Sequence, residues 1–135
     1  MSLFPKRFSA LFLVVAACAF SQSFSPADVK IAGDLKYGDT SAPVEYSTTP
    51  KYYALVFNGN SGDRIEVSVT AEGHRAEVAI ADPTLKQLAT GTTNVTTVLP
   101  DRGPDMDTYY IVFRDSEAKP ANFVVQLKKL SEASK

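Results

Sequence analysis

Hydrophobic side chains recur at every second position through most of the chain after Ala27. That is the period of a strand with one buried face. The clearest run is Arg64-Ile-Glu-Val-Ser-Val-Thr70: Ile65, Val67 and Val69 face one way, Arg64, Glu66, Ser68 and Thr70 the other. Ala76-Glu-Val-Ala-Ile-Ala-Asp82 repeats the pattern with Val78 and Ile80. The linker Ala71-Glu-Gly-His-Arg75 predicts a hairpin that sets these two strands side by side and antiparallel. Tyr52-Tyr-Ala-Leu-Val-Phe57 and Tyr109-Tyr-Ile-Val-Phe113 are apolar on both faces and predict central strands. Phe123-Val-Val-Gln-Leu127 closes the series, with Leu130 extending it, and weaker strands are predicted over 29–35, 44–48, 87–90 and 95–99. No sustained helical period interrupts them.

The punctuation agrees with short strands. Asn58-Gly-Asn-Ser-Gly-Asp63 is a turn cluster, because Gly and Asn accept positive φ at little steric cost. Asp82-Pro83 marks a second turn and Asp101-Arg-Gly-Pro-Asp105 a longer loop. Strands of four to eight residues with turn signals every 8–12 predict an all-β sandwich or barrel. Residues 27–130 form one such domain, and Ser131 to Lys135 read as a frayed tail.

Residues 1–25 read differently. A basic start (Lys6, Arg7), an apolar run and small residues make the three parts of a secretory signal. From Phe8 to Phe20 the run is shorter than the ~20 residues a helix needs to cross a bilayer. Val15-Ala16-Ala17-Cys18 resembles the bacterial lipobox, in which the cysteine receives a lipid and becomes the new N-terminus. Ordinary cleavage after Ala19 or after Ser23 would discard the cysteine, and Phe20 and Phe24 stand where lipoprotein tethers are usually polar. The expected location is therefore exported: periplasmic, extracellular or lipid-anchored through Cys18. The lipid would be the domain's only tie to a membrane.

Composition narrows the function by exclusion. The chain holds 14 Lys+Arg against 15 Asp+Glu. With Lys6 and Arg7 in the leader, the domain is mildly acidic and has no basic stripe. Nucleic-acid binding is driven by phosphate neutralisation, so that class falls away. Cys18 is the only cysteine, leaving the domain to depend on its core and not on disulfides. His74 is the only histidine and reads as a solvated turn residue. One histidine without cysteine cannot assemble a zinc site of the usual ligands, and no Gly-x-Ser-x-Gly element offers a nucleophile. Asp101, Asp105 and Asp107 gather in one loop and are the residues to watch for calcium, although their spacing does not match the helix-loop-helix calcium pattern. Glu45, Glu66, Glu72 and Glu77 lie mostly on solvent faces, and nothing pairs them for glycoside hydrolysis.

Tyr52, Tyr53, Tyr109 and Tyr110 form two doublets. In each, one ring enters the core while its neighbour reaches the opposite face, where an uncovered ring suits sugar or peptide contact.

The order of segments resembles the bacterial pre-peptidase C-terminal domain. The likeness lies in Tyr53-Ala-Leu-Val-Phe57, the turn and strand Gly62-Asp-Arg-Ile-Glu-Val-Ser-Val69, and Thr108-Tyr-Tyr-Ile-Val112 followed by Phe123-Val-Val-Gln-Leu127. It spans about residues 30–130. One departure is Asp107, where the family commonly has Gly before the Thr-Tyr-Tyr element. The resemblance implies a jelly-roll-like antiparallel β-sandwich of about eight strands, and a role in secretion or in binding proteins and polysaccharides. Some relatives hold calcium near the N-terminal linker, but no matching carboxylate cluster is present there. Together these features predict a non-catalytic exported module that binds a protein or polysaccharide and needs no cofactor. The alternatives are an accessory subunit of a separate secreted enzyme such as a peptidase and, third, a small carboxylate-based hydrolase.

Overall fold

Among the described residues, nine strands carry the alternating pattern into two stacked sheets. The computed structural model describes residues 23–101 and 103–130. Residues 1–22, which hold most of the expected leader with Cys18, and the expected tail 131–135 lie outside that range. The strands are β1 (Val29–Asp34), β2 (Val44–Tyr46), β3 (Tyr52–Gly59), β4 (Arg64–Thr70), β5 (Ala76–Ala81), β6 (Gln87–Thr92), β7 (Asn94–Val98), β8 (Asp107–Asp115) and β9 (Ala121–Lys129). One sheet has the order β1-β3-β8-β5-β6 and the other β2-β9-β4-β7. Every pairing is antiparallel except β1 with β3, which is parallel. As predicted, the domain is an all-β sandwich with β3 and β8 in the interior of their sheet.

The predicted β4–β5 hairpin is not formed. β4 pairs with β7 and β9, β5 with β6 and β8, and the residues between them arch from one sheet to the other. Ile65, Val67 and Val69 therefore meet Val78 and Ile80 in a single core across the sandwich. Alternation specifies which face of a strand is buried, not which strand lies beside it.

β6 and β7 also change sheets, through Thr93 alone, which sits at φ 68°. A Cβ on Gly91 would fall 2.3 Å from the Asn94 carbonyl oxygen, so the tightness of this arch requires glycine there. Gly59 faces Asp107 in the ladder, and a Cβ on it would meet Leu99 and the Tyr37 hydroxyl at 2.5 Å. The family's usual glycine at the start of β8 is thus absent without breaking the strand, which runs from Asp107.

The dry interior is rich in aromatic rings. Tyr46 and Tyr53 meet edge-on at 5.0 Å between centroids, Phe113 and Phe123 at 5.7 Å, and Phe57 stacks on Tyr109 at 5.6 Å. Such pairs add specific geometry to the large area each ring buries. A second apolar cluster lies on the far side of the five-stranded sheet, where Ala54, Ala79, Ala81, Leu85 and Val112 are buried.

Candidate functional site

The outward face of the five-stranded sheet is built from residues that alternate with the core positions. Ladder register aligns Ala54 of β3, Val112 of β8, Ala79 of β5 and Thr90 of β6 in one row across the sheet. The next row holds Arg114, Glu77 and Thr92. Small side chains along the first row sink the surface between taller neighbours. The result is a trough of about 390 Å³, with Ala79, Val112 and Gly91 on its floor, Phe24 and Tyr52 as one wall, and Gln87, Thr90 and Thr92 as the other.

Charge enters at one end. The Arg114 Nε donates to Glu77 Oε1 at 2.9 Å, and its Nη2 lies 3.5 Å from Glu77 Oε2, giving a nearly parallel two-point pair. The hydrogen bond to Glu77 holds the Arg114 guanidinium above its ordinary pKa. Such a pair presents a fixed fork of donors and acceptors beside an aromatic wall. Lys51 places its Nζ 5.3 Å from the centroid of the Tyr52 ring. The arrangement can grip a side chain or a hydroxyl-bearing group, and it holds no nucleophile-and-base couple.

Of the four tyrosines, the structure separates two from the surface. Tyr53 and Tyr109 are buried in the main core, 2% and 0% exposed. The Tyr53 hydroxyl donates to the Thr49 carbonyl at 3.2 Å and lies 2.7 Å from Ser47 Oγ. Tyr52 and Tyr110 are half-buried on the outer face, packed against the second cluster. Of the four, Tyr52 lines the trough.

The acidic loop does not converge. Asp101 Oδ1 accepts from the Gly103 N–H at 3.2 Å and Asp107 Oδ1 from the Thr108 N–H at 2.9 Å. These bonds shape the loop. Among the described residues no group of three or more His, Cys, Asp or Glu, including Asp105, is placed to hold a metal ion.

His74 differs from its sequence reading as a solvated turn residue. Its Nδ1 lies 2.8 Å from Asp115 Oδ1, its side chain is 26% exposed, and its ring meets Phe123 edge-on. The arch between the sheets, which the expected hairpin would have lacked, carries it onto the end of β8. Asp115 is 1% exposed and also accepts from the Glu117 and Lys119 N–H groups at 2.9 and 3.0 Å. Burial alone would push the Asp115 carboxyl up, but the Lys119 N–H, His74 and the Glu117 N–H outweigh it and hold the pKa below its usual value. The pair fastens the β8–β9 turn to the inter-sheet arch.

Sequence does not single out the trough residues Phe24, Glu77, Gln87, Thr90 and Thr92, nor Arg114, which holds Glu77. Phe24 reads as leader, and Glu77 as an ordinary solvent-facing strand residue. The one signal available was the pair of alanines Ala79 and Ala81 at outward positions, where a solvated strand would carry polar side chains.

No protein-family model matches the chain, and no curated protein matches it. Solved structures do. The pre-peptidase C-terminal domain of a collagenase from Bacillus anthracis aligns over 78% of this chain and 99% of its own length, with 14% identity and a TM-score of 0.54. PliG from Aeromonas hydrophila, a periplasmic inhibitor of g-type lysozyme, aligns over 76% of this chain and 99% of its own, with 11% identity and a TM-score of 0.55. At these identities the likeness is one of fold, and the fold is that of the pre-peptidase C-terminal domain.

Proposed function

We propose that this chain is an exported, non-catalytic module that binds another protein through the trough on the outer face of its five-stranded sheet. The observation that carries the reading is the trough itself. A floor of alanine and valine is sunk between aromatic and threonine walls, and it is lined at one end by Glu77, which Arg114 holds in place. Aromatic rings and arginine are the residue types that anchor protein partners, and a pocket of this depth takes one or two of a partner's side chains. Two findings support the protein class. The fold is shared with PliG, whose partner is a protein, and with a domain of a collagenase. The aromatic wall also lacks tryptophan, the usual sugar-stacking residue, since the chain has none.

Retention from an envelope extract on the immobilised domain tests this reading. The wild type should hold a protein that Tyr52→Ala and Arg114→Ala each release by about tenfold, the loss expected when an anchor worth ~1.4 kcal/mol is removed. Retention that survives proteolysis of the extract, or that neither variant weakens, would contradict it.

A further inference from the structure

One wall of the trough comes from a segment that sequence places at the end of the leader. Ser23 forms an antiparallel bridge with Lys86. The Phe24 N–H donates to the Leu85 carbonyl at 2.8 Å, and the Phe24 ring stands edge-on to Tyr52 at 4.9 Å. A 3₁₀ turn at Pro26–Asp28 then leads into β1. Beneath this segment Ala54, Ala81 and Val112 are at most 1% exposed, although no second sheet covers them. Leu85 holds φ 68°, a region costly for a branched side chain. In that conformation its carbonyl receives Phe24 and its side chain joins the same cluster. Ser23 and Phe24 are therefore built into the domain.

We propose that the export cut falls N-terminal to Ser23, so that the mature chain keeps Phe24 as a wall of the trough. The inference rests on export and not on what the trough binds. Of the three cuts the leader allows, those before Cys18 and after Ala19 satisfy it. A cut after Ser23 removes the bridge to Lys86, and one after Ser25 removes the Phe24 ring as well. Without that ring, a face of Tyr52 and part of the alanine floor enter water, a loss of apolar contact on the scale of one aromatic side chain. Processing is a hydrolysis: water adds across one peptide bond, leaving a carboxyl on the leader and an amino group on the mature chain.

The full-length chain, expressed in a bacterium that exports it, is recovered after processing for intact mass and N-terminal sequencing. A first residue anywhere from Cys18 to Ser23 is expected. A chain beginning at Phe24 or later, or still carrying Met1, overturns the proposal. Phe24→Ala, made in the same full-length chain, should lower the melting temperature of the processed protein by about 5 °C or more. Phe24→Leu should recover part of that loss and remains informative should the alanine variant fail to fold. Equal melting of wild type and both variants would remove Phe24 from the fold. None of these readouts depends on a partner.

Discussion

Asp115 and Asp63 bring carboxylates to positions that are 1% and 9% exposed, and each is stabilised there by donors placed around it. Asp63 takes the Tyr37 hydroxyl at 2.6 Å and the Asn60 N–H at 2.9 Å, with the Lys129 Nζ at 3.5 Å. Burial opposes ionisation of Asp63, but these partners prevail and its carboxyl lies below the ordinary value, as that of Asp115 does. The sign follows from linkage. A depressed folded pKa contributes stability that is present above the unfolded value, near 3.9, and is lost as pH falls through the folded value. Melting temperature should accordingly hold near neutral pH and drop below about pH 4. Asp115→Asn should flatten that acid limb and cost about 1–3 kcal/mol at neutral pH, because an amide cannot accept from both N–H groups and His74 equally well. Urea melts of the variant across pH check both statements. Val67 and Ile111 are 0% exposed between the sheets, and Val67→Asp or Ile111→Asp should abolish folding. A cooperative melt in either variant would contradict the placement of the core.

At the scale of elements, the arches between the sheets carry the architecture. Gly91 packs so closely on the Asn94 carbonyl that Gly91→Ala forces β6 and β7 apart, with an expected cost of about 1–3 kcal/mol by denaturant melt. Gly38, where a Cβ would meet nothing within 4 Å, is a poor control because its φ of 90° strains any side chain. Thr96→Ala on the exposed face of β7 is the better one and should change little. The strands themselves were legible because Ile65-x-Val67-x-Val69 and Val78-x-Ile80 mark a buried face directly. Their partners were not, since the same alternation serves a hairpin or an arch, and five intervening residues fit either. The tyrosine doublets show the same boundary. Opposite faces for Tyr52 and Tyr53 follow from the period of a strand, whereas the cover that Phe24 and Leu85 give the outer face needs the tertiary fold. The site was the less legible part, because Glu77 and Arg114 lie 37 residues apart in sequence and meet only through the β5–β8 register.

For the whole molecule, two outer faces remain after the sandwich closes, and they differ in kind. The four-stranded sheet shows mostly polar side chains, with Ser68 Oγ donating to Asn94 Oδ1 at 2.7 Å, Glu66 opposite Lys128, and Val98 exposed among them. The five-stranded sheet shows the aromatic trough. Ser23 and Phe24 pack at the second face, so under the proposed cut the mature N-terminus precedes a segment that walls the trough. Growth with labelled palmitate, wild type beside Cys18→Ala, decides how that terminus ends. With Phe20 and Phe24 following the cysteine, the processed wild type is expected to carry no label, and label lost in Cys18→Ala would establish a lipid anchor instead. The binding reading is tested most directly by a photocrosslinking residue placed at exposed Thr90, in the trough, or at exposed Thr96, on the opposite sheet, in cells that export the protein. A protein adduct from position 90 and none from 96 is the predicted result. Adducts confined to 96, or absent from both, would contradict it.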